Sequence, residues 1–190
     1  KLPPDGLHIR PSDDRVPQEE RLHVHKMPAV LAFTRANGIN RIVMQGGKAP
    51  KLGIVAPGKS YLDVRQALDD LGIDEMQASK LGIRLLKIGM VWPLESSIIR
   101  DFARGLDTIL VVEEKRSLIE SQIRDILYAE DKRPEVIGKA LFPAHGVLEP
   151  NQIAFAVASR IKDRAVQSCV EALQSAVAVA RNQADLVQRV

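Results

Sequence analysis

Four residues between positions 53 and 60 have the types and spacing of a phosphate-binding loop. Gly53, Gly58, Lys59 and Ser60 match the pattern G-x-x-x-x-G-K-S, in which backbone N–H groups and the lysine hold phosphate oxygens. Further along the chain, residues 109–114 (ILVVEE) have the apolar run and acidic end typical of a strand that holds Mg²⁺ in such proteins. The combination defines one hypothesis, a nucleotide-binding protein that uses this loop.

The residues between the two glycines favour a different interpretation. A phosphate-binding loop follows its strand, whereas residues 54–56 are themselves the most strand-like part of the motif. Pro57 has no N–H to donate to a phosphate. Residues 46–51, ahead of the first glycine, have the composition of a turn. Nucleotide binding is therefore kept as an alternative.

Other residue types that support catalysis or metal binding are few. His23 and His25 would share one face of a strand, but no carboxylate or cysteine accompanies them at metal-ligand spacing. The single cysteine, Cys169, falls in a helical pattern and is expected to be a small buried side chain. The Gly-x-Ser-x-Gly pattern of serine hydrolases does not occur. We therefore predict no catalytic residue, cofactor ligand or metal site in this chain.

Polar and aromatic side chains follow three predicted strands at their carboxyl ends. These residues are Lys59, Trp92, Glu113, Glu114 and Lys115. In open α/β sheets, ligands and partners bind in the crevice outside the strand carboxyl ends. An indole flanked by charges is a common composition of a protein interface. We predict that this edge docks other protein domains rather than a small molecule, with Trp92 as the apolar anchor and the charges as the rim.

The elements that position these residues are strands that alternate with helices. Residues 52–72 form the first unit, with an apolar run, a Pro-Gly break and an amphipathic helix. Ser60, with Asp63 three residues later, predicts the helix N-cap. Gly72 predicts the end of the helix. This is the first half of a βαβ unit.

The same alternation continues downstream and predicts an α/β fold. The predicted strands are 41–45, 52–56, 83–88, 108–112 and 135–138. The predicted helices are 27–37, a helix with Leu94, Ile98 and Phe102 on one face, 116–128, and one that starts at Pro150. We expect three layers, with helices on both faces of a five-stranded, mostly parallel sheet. The short turn after residues 41–45 predicts that the first strand is antiparallel.

Composition divides the chain into three parts. The proline-rich segment 1–20 is predicted to be an interdomain linker, residues 21–162 the α/β domain, and 163–190 a C-terminal helical extension. Residues at heptad-like spacings in this extension are Val166, Val170, Leu173, Val177, Ala180, Ala184 and Val187. They favour a helix that lies on a neighbouring surface, and a helix-mediated interaction module remains the second alternative. The chain begins with Lys1, as expected for a piece of a longer protein.

Composition also argues against several classes of function. Aromatic residues are 4% of the chain, and its basic residues are spread out for a net charge of +3, so we expect no nucleic-acid binding. No segment approaches the roughly 20 apolar residues of a membrane span. A single cysteine fits a reducing compartment. We expect a cytoplasmic protein without membrane contact.

Three segments resemble indolepyruvate ferredoxin oxidoreductase, a member of the thiamine-diphosphate-dependent 2-oxoacid:ferredoxin oxidoreductases. They are residues 53–61 (GIVAPGKSY), 81–95 (LGIRLLKIGMVWPLE) and 109–116 (ILVVEEKR), in the family's order and spacing. The resemblance covers residues 21–160 and matches the middle domain of the family. That domain is similar to the C-terminal domain of transketolase, which has a five-stranded mixed sheet with an antiparallel first strand. The resemblance implies that 54–56 lies between 83–88 and 108–112.

The resemblance implies a reaction for the full enzyme. An arylpyruvate is oxidatively decarboxylated on thiamine diphosphate with Mg²⁺, electrons pass through iron–sulfur clusters to ferredoxin, and the acyl group leaves as its CoA thioester. The cofactor-bearing domains of the family lie outside the matched segment, so no cofactor ligand is carried over to this sequence. The expected role is a non-catalytic docking domain, with the flanking domains as partners and a homo-oligomer as the full enzyme.

Overall fold

Helices and strands alternate through most of the chain in the computed structural model, which describes Pro3 and residues 6–188. The helices are α1 (Arg15–Glu20), a π-helical segment (Arg21–Lys26), α2 (Met27–Ala36), α3 (Gly58–Asp70), α4 (Glu75–Leu81), α5 (Ser96–Ala103), α6 (Ile119–Leu127), α7 (Pro150–Ala158) and α8 (Arg164–Gln188). The strands are β1 (Arg41–Gln45), β2 (Leu52–Pro57), β3 (Ile83–Ile88), β4 (Thr108–Val111) and β5 (Glu135–Ile137).

The five strands form one sheet in the order β1-β3-β2-β4-β5. Strand β2 is central and pairs in parallel with β3 and with β4, while β4 pairs in parallel with β5. Strand β1 is antiparallel to β3. The predicted sheet is therefore confirmed, including its antiparallel first strand. The turn after β1 does not make a hairpin with β2, because β3 lies between the two strands.

Side chains of the central strand alternate between two apolar layers. Ile54 and Ala56 belong to the core under α3, α7 and the start of α8, whereas Val55 belongs to the core under α5 and α6. All three side chains are fully buried. A strand that is covered on both faces requires apolar residues at successive positions. The run of residues 52–56 thus leads to the predicted α/β/α arrangement, which is confirmed.

Helix α3 begins immediately at the end of β2. Its N-cap residue is Pro57, which is extended, so the predicted N-cap at Ser60 is wrong. Ser60 instead lies buried in the first helical turn. The carboxylate of Asp63 accepts a hydrogen bond from Lys59 rather than completing a capping box. The predicted end is confirmed, because Gly72 is left-handed with φ of 67°.

Helix α4 has no counterpart among the predicted elements. It starts at Asp74, whose carboxylate accepts the N–H of Gln77 at 2.7 Å, and it ends at the left-handed Gly82. These are common start and stop signals of a short helix. A helix of seven residues has too few apolar positions to reveal its periodicity.

The N-terminal part of the chain is more helical than the sequence indicates. Helix α1 lies within the segment predicted as a linker, and helical structure continues through α2. His23 and His25 lie in the π-helical segment, so their predicted placement on a strand is wrong. The boundary at residue 20 falls inside this helical stretch.

Helix α8 packs on the domain through its first turns. Val166 is buried in the core, and Cys169, Val170 and Leu173 pack against it. Further along, Val179 is exposed, as is Ala184, while the side chain of Val187 lies outside the described residues. The first turns follow the expectation of a helix on a neighbouring surface.

Candidate functional site

A crevice of about 560 Å³ opens at the carboxyl ends of β2, β3 and β4. We call it the carboxyl-edge crevice. Its walls are residues 57–60 at the start of α3, residues 113–116 after β4, the start of α6, and Ile88, Gly89 and Val91 after β3. Parallel strands with helices on both faces leave such a crevice where neighbouring connections diverge to opposite faces.

The structure brings together four of the five residues predicted for this edge. Lys59, Glu113, Glu114 and Lys115 all line the crevice. Trp92 does not line it but directly follows Val91, which does. The indole is 58% exposed. The five residues therefore lie at one edge, with the four polar residues in the crevice and Trp92 beside it.

Glu113 has a structural role that the sequence did not indicate. It is 4% exposed, and its carboxylate accepts the N–H groups of Leu118, Ile119 and Glu120 at 3.1, 2.9 and 3.0 Å. These groups have no partner within helix α6, so the carboxylate caps its N-terminus. Glu113 is therefore a buried cap and not a rim charge. The cap also explains why α6 begins at Ile119 and not at the predicted residue 116.

Lys59 connects three parts of the crevice. Its Nζ lies 2.7 Å from Asp63 Oδ2 and 3.6 Å from Glu114 Oε1, and donates to the Leu148 carbonyl oxygen at 3.3 Å. The hydrogen bond to Asp63 raises the pKa of Lys59 above its ordinary value, against the smaller effect of burial. The ammonium group therefore stays charged at neutral pH. Glu114 also accepts the N–H of Leu148, at 3.3 Å.

Lys139 is a partly buried cation beside Glu113 that sequence reasoning missed. Its Nζ donates to the backbone carbonyl oxygen of Glu113, and its N–H donates to Glu120 Oε2 at 2.9 Å. Burial lowers the pKa of Lys139, while the three nearby glutamates partly oppose this effect. The residue lies 26 positions from Glu113, so no local sequence signal relates the two.

The loop that carries Trp92 is held by hydrogen bonds on both sides. Asn40 Oδ1 accepts the N–H groups of Gly89 and Met90, each at 2.9 Å. Gln122 accepts the N–H of Leu94 at 2.8 Å and donates to the Val91 carbonyl oxygen at 2.9 Å. The Trp92–Pro93 peptide within this loop is cis. The indole is thus exposed on a loop whose backbone is fixed.

The geometry of a nucleotide-binding loop is not formed. Gly53 lies in β2, where an added Cβ would come within 2.5 Å of Leu106 and 2.8 Å of Phe102, so this glycine permits close packing of α5 on the sheet. Glu113, the acidic residue expected to hold Mg²⁺, is instead engaged by α6. Among the described residues, no group of three or more His, Cys, Asp or Glu side chains is arranged to hold a metal ion.

A sequence model of a protein family matches the segment that contains the crevice and nearly all of the sheet. The model of the indolepyruvate oxidoreductase domain matches residues 42–185, which is most of the chain. The chain belongs to this family. The resemblance found in the three sequence motifs is thereby confirmed.

Curated relatives of this indolepyruvate oxidoreductase domain are longer proteins. The indolepyruvate oxidoreductase subunit IorA of Pyrococcus horikoshii is 34% identical over 100 residues, which are 53% of this chain and 14% of that subunit. The same subunit of Methanothermobacter marburgensis is 30% identical over 129 residues, which are 68% of this chain and 19% of that subunit. The chain thus spans less than a fifth of the length of these relatives.

One solved structure shows a similar fold at low sequence identity, and a second is a weaker match. A 2-oxoglutarate:ferredoxin oxidoreductase from Magnetococcus marinus, solved with 2-oxoglutarate, coenzyme A and succinyl-CoA bound, matches 80% of this chain and 24% of its own, with a TM-score of 0.52 and 18% identity. A split-gene transketolase, in an inactive β4 tetramer, matches 70% of this chain and 41% of its own, with a TM-score of 0.44 and 15% identity. At 18% identity the first likeness shows the fold alone.

The described helices of this indolepyruvate oxidoreductase domain include none with the length and apolar character needed to cross a membrane.

Proposed function

We propose that this chain is a non-catalytic docking domain of an indolepyruvate ferredoxin oxidoreductase. The full enzyme oxidatively decarboxylates arylpyruvates to aryl-acetyl-CoA, with ferredoxin as the electron acceptor. In this proposal the enzyme is a cytoplasmic homo-oligomer, and this domain contacts its flanking domains.

Family membership and the length of the relatives support this proposal. The family model matches residues 42–185, while the chain corresponds to only 14% to 19% of the IorA subunits named above. More than four fifths of each relative therefore lies outside the matched domain. The ligands of the Magnetococcus marinus oxidoreductase, a 2-oxo acid and coenzyme A derivatives, are of the substrate and product classes proposed here.

The residues of this domain do not fit the cofactors of the proposed reaction. Iron–sulfur clusters are held by several cysteine thiolates, and this chain has one cysteine, on α8. Mg²⁺ with thiamine diphosphate needs available carboxylates, but Glu113 accepts three N–H groups of α6 and Glu114 lies beside Lys59. We therefore assign both cofactors to other parts of the enzyme.

One observation carries the docking role, namely the exposed Trp92 on its fixed loop. The neighbouring Val91 and Leu118 are 38% and 45% exposed, so the indole stands beside further apolar surface. A tryptophan of this kind is a common anchor of an interface, and a fixed backbone lowers the entropy lost on docking. The charges of Lys115 and Arg116 lie next to this apolar patch, where interfaces place their polar rim.

The test is Trp92→Ala in the oxidoreductase that contains this chain. Loss of an aromatic anchor weakens an interface by about 2 kcal/mol or more, so we expect incomplete assembly in size-exclusion chromatography and reduced ferredoxin reduction with indolepyruvate. The isolated chain should melt at the same temperature as the unchanged chain, because the indole is 58% exposed.

The matched control is Met76→Ala. Met76 is 60% exposed on α4, which leads into the amino end of β3 and so lies at the opposite edge of the sheet. We expect this variant to assemble and turn over normally. Normal assembly and turnover of Trp92→Ala would contradict the docking role.

A further inference from the structure

We propose that a small polar cavity between α2 and α5 binds a carbonyl oxygen presented by the domain that docks beside Trp92. The cavity has a volume of about 130 Å³. The polar side chains that line it are Thr34, Arg35, Asn40, Glu95, Ser97 and Asp101. We call it the Asn40 cavity. This proposal rests on the docking function and names the chemistry that the partner presents.

Asn40 indicates which class of ligand the cavity takes. The residue is 5% exposed, and its Nδ2 is a buried atom without a hydrogen-bond partner among the described residues. Its Oδ1 accepts the N–H groups of Gly89 and Met90, each at 2.9 Å. These two donors fix the orientation of the amide, because a reversed amide would place donors against donors. A buried N–H without an acceptor is unfavourable, so a ligand that supplies an acceptor is stabilised here.

The carboxylates that line the cavity do not supply this acceptor. Both oxygens of Glu95 are engaged, by Arg35 and by groups at the start of α5. Asp101 lies 3.0 Å from Arg104, and its side chain is 58% exposed. The Arg35 side chain is 51% exposed and has further N–H groups besides the one that binds Glu95. The groups available to a ligand are therefore mainly donors, which match an oxygen acceptor.

The charges of the cavity favour an uncharged acceptor. Arg35 lies 2.8 Å from Glu95, and Asp101 pairs with Arg104, so each cation already has an anionic partner. A further carboxylate would lose its hydration and be repelled by Glu95 in the same cavity. A carbonyl oxygen accepts an N–H without bringing a second negative charge. The ligand is therefore the oxygen of a peptide group or of a carboxamide side chain.

The volume of the cavity limits the size of the group that enters it. Pockets that enclose small molecules measure roughly 300–1,000 Å³, so a cavity of about 130 Å³ is too small for an arylpyruvate or an organic cofactor. One water molecule takes up about 30 Å³ in the liquid, so a single carboxamide or peptide group fits in place of a few waters. The group is therefore carried by a larger molecule.

The cavity adjoins the loop that carries Trp92, which identifies the domain docked there as the source of the carbonyl. Asn40 holds the backbone of Gly89 and Met90, and the hydroxyl of Thr34 lies 3.0 Å from the Met90 sulfur. Met90 precedes Trp92 by two residues. A domain that covers the exposed indole therefore lies close to the cavity. Interfaces commonly combine an apolar anchor with hydrogen bonds around it.

The test is Asn40→Asp in the oxidoreductase that contains this chain. The carboxylate keeps an oxygen for the Gly89 and Met90 N–H groups but replaces the Nδ2 donor with an acceptor. A carbonyl oxygen only accepts hydrogen bonds and so loses its partner, whereas a water molecule can turn and donate. We expect association in sedimentation equilibrium to weaken about tenfold, and ferredoxin reduction with indolepyruvate to fall. In the isolated chain, hydrogen exchange at the Gly89 and Met90 amides should stay unchanged.

A second variant blocks the same cavity without changing Asn40. Ser97 is exposed and lines the cavity, so the larger side chain of Ser97→Leu reduces the space for a ligand. We expect association to weaken as in Asn40→Asp. The matched control is Asn37→Asp, which adds the same charge at the end of α2. Asn37 is exposed and donates to the Phe33 carbonyl oxygen of its own helix, so this variant should associate normally.

Three outcomes would overturn the proposal. The first is normal association of Asn40→Asp, which shows that the cavity holds water only. The second is equal weakening in Asn40→Asp and Asn37→Asp, which assigns the effect to charge. The third is normal association of Ser97→Leu, which also decides the question if Asn40→Asp speeds exchange in the isolated chain. A defect in Trp92→Ala together with normal association of Asn40→Asp would retain the docking function and remove the cavity from it.

Discussion

The Nε2 of Gln122 donates to the carbonyl oxygen of Val91 at 2.9 Å, which ties helix α6 to the loop that exposes Trp92. The same nitrogen donates to the Leu118 carbonyl oxygen at 3.0 Å, and Oε1 accepts the N–H of Leu94 at 2.8 Å. One amide side chain therefore fixes the position of the proposed docking anchor relative to the crevice.

Gln122→Ala is expected to make the loop that carries Trp92 more mobile, although Trp92 itself is not changed. The loss of these hydrogen bonds should speed hydrogen exchange at the Leu94 amide and lower the free energy of unfolding by about 1–2 kcal/mol. In the oxidoreductase, assembly should weaken in the same direction as in Trp92→Ala. Gln66→Ala is the control, because Gln66 is exposed and bonds Asp70 on its own helix. Unchanged protection of Leu94 would contradict the assigned role of Gln122.

Two adjacent glutamates should differ strongly in their effect on stability. Glu113→Ala leaves three N–H groups of α6 without their acceptor and should lower the free energy of unfolding by about 2–3 kcal/mol. Glu114→Ala removes a half-exposed partner of Lys59 and should cost less than about 1 kcal/mol. Urea unfolding of the two variants measures the difference. Equal losses would show that Glu113 does not cap α6.

Glu95 should make the free energy of unfolding of the domain decrease at acidic pH. Burial raises the pKa of this carboxyl, but hydrogen bonds from the Ile98 N–H, Ser97 and Arg35 outweigh it and lower the pKa from 4.5 to about 2. The ionised form is therefore stabilised in the folded state. Its contribution is fully present above pH 4.5 and is lost as the pH falls toward 2.

The expected difference between the unchanged chain and Glu95→Gln is about 3 kcal/mol at pH 7 and shrinks to near zero at pH 2. Urea unfolding at pH 7, 4 and 2.5 measures it. Glu130→Gln serves as the control, because Glu130 pairs with Arg100 on the exposed surface and should change stability little at any pH. A difference for Glu95→Gln that is independent of pH would refute the assignment.

Much of the fold was predictable because it rests on local patterns. The apolar run of residues 52–56 indicates a strand covered on both faces, and Gly72 marks the end of a helix without reference to the rest of the chain. Sequence reasoning placed the N-cap of α3 at Ser60 because serine is a common N-cap residue. In the structure the central strand continues to Pro57, so the helix starts earlier and Ser60 becomes buried.

The site was less predictable because its side chains act across long sequence distances. Lys59 and Glu114 meet because β2 and β4 are neighbours in the sheet, and the resemblance supplied that order. The capping role of Glu113 depends on the path of the loop that follows it, which no spacing rule gives. Gln122 and Lys139 act through backbone atoms 31 and 26 residues away.

The position of β1 has a consequence for the order in which the chain becomes ordered during synthesis. Strand β1 leaves the ribosome first, but its partner β3 begins about 40 residues later, after the central strand β2. The segment from β2 to β3 contains its own crossover connection and pairs two strands without help from β1. We therefore expect β1 to stay unpaired until β2 and β3 have formed, and then to pair with the free edge of β3. The central strand β2 therefore finds a partner before β1 does. Of the three strands that precede α5, β1 is the last to join the sheet.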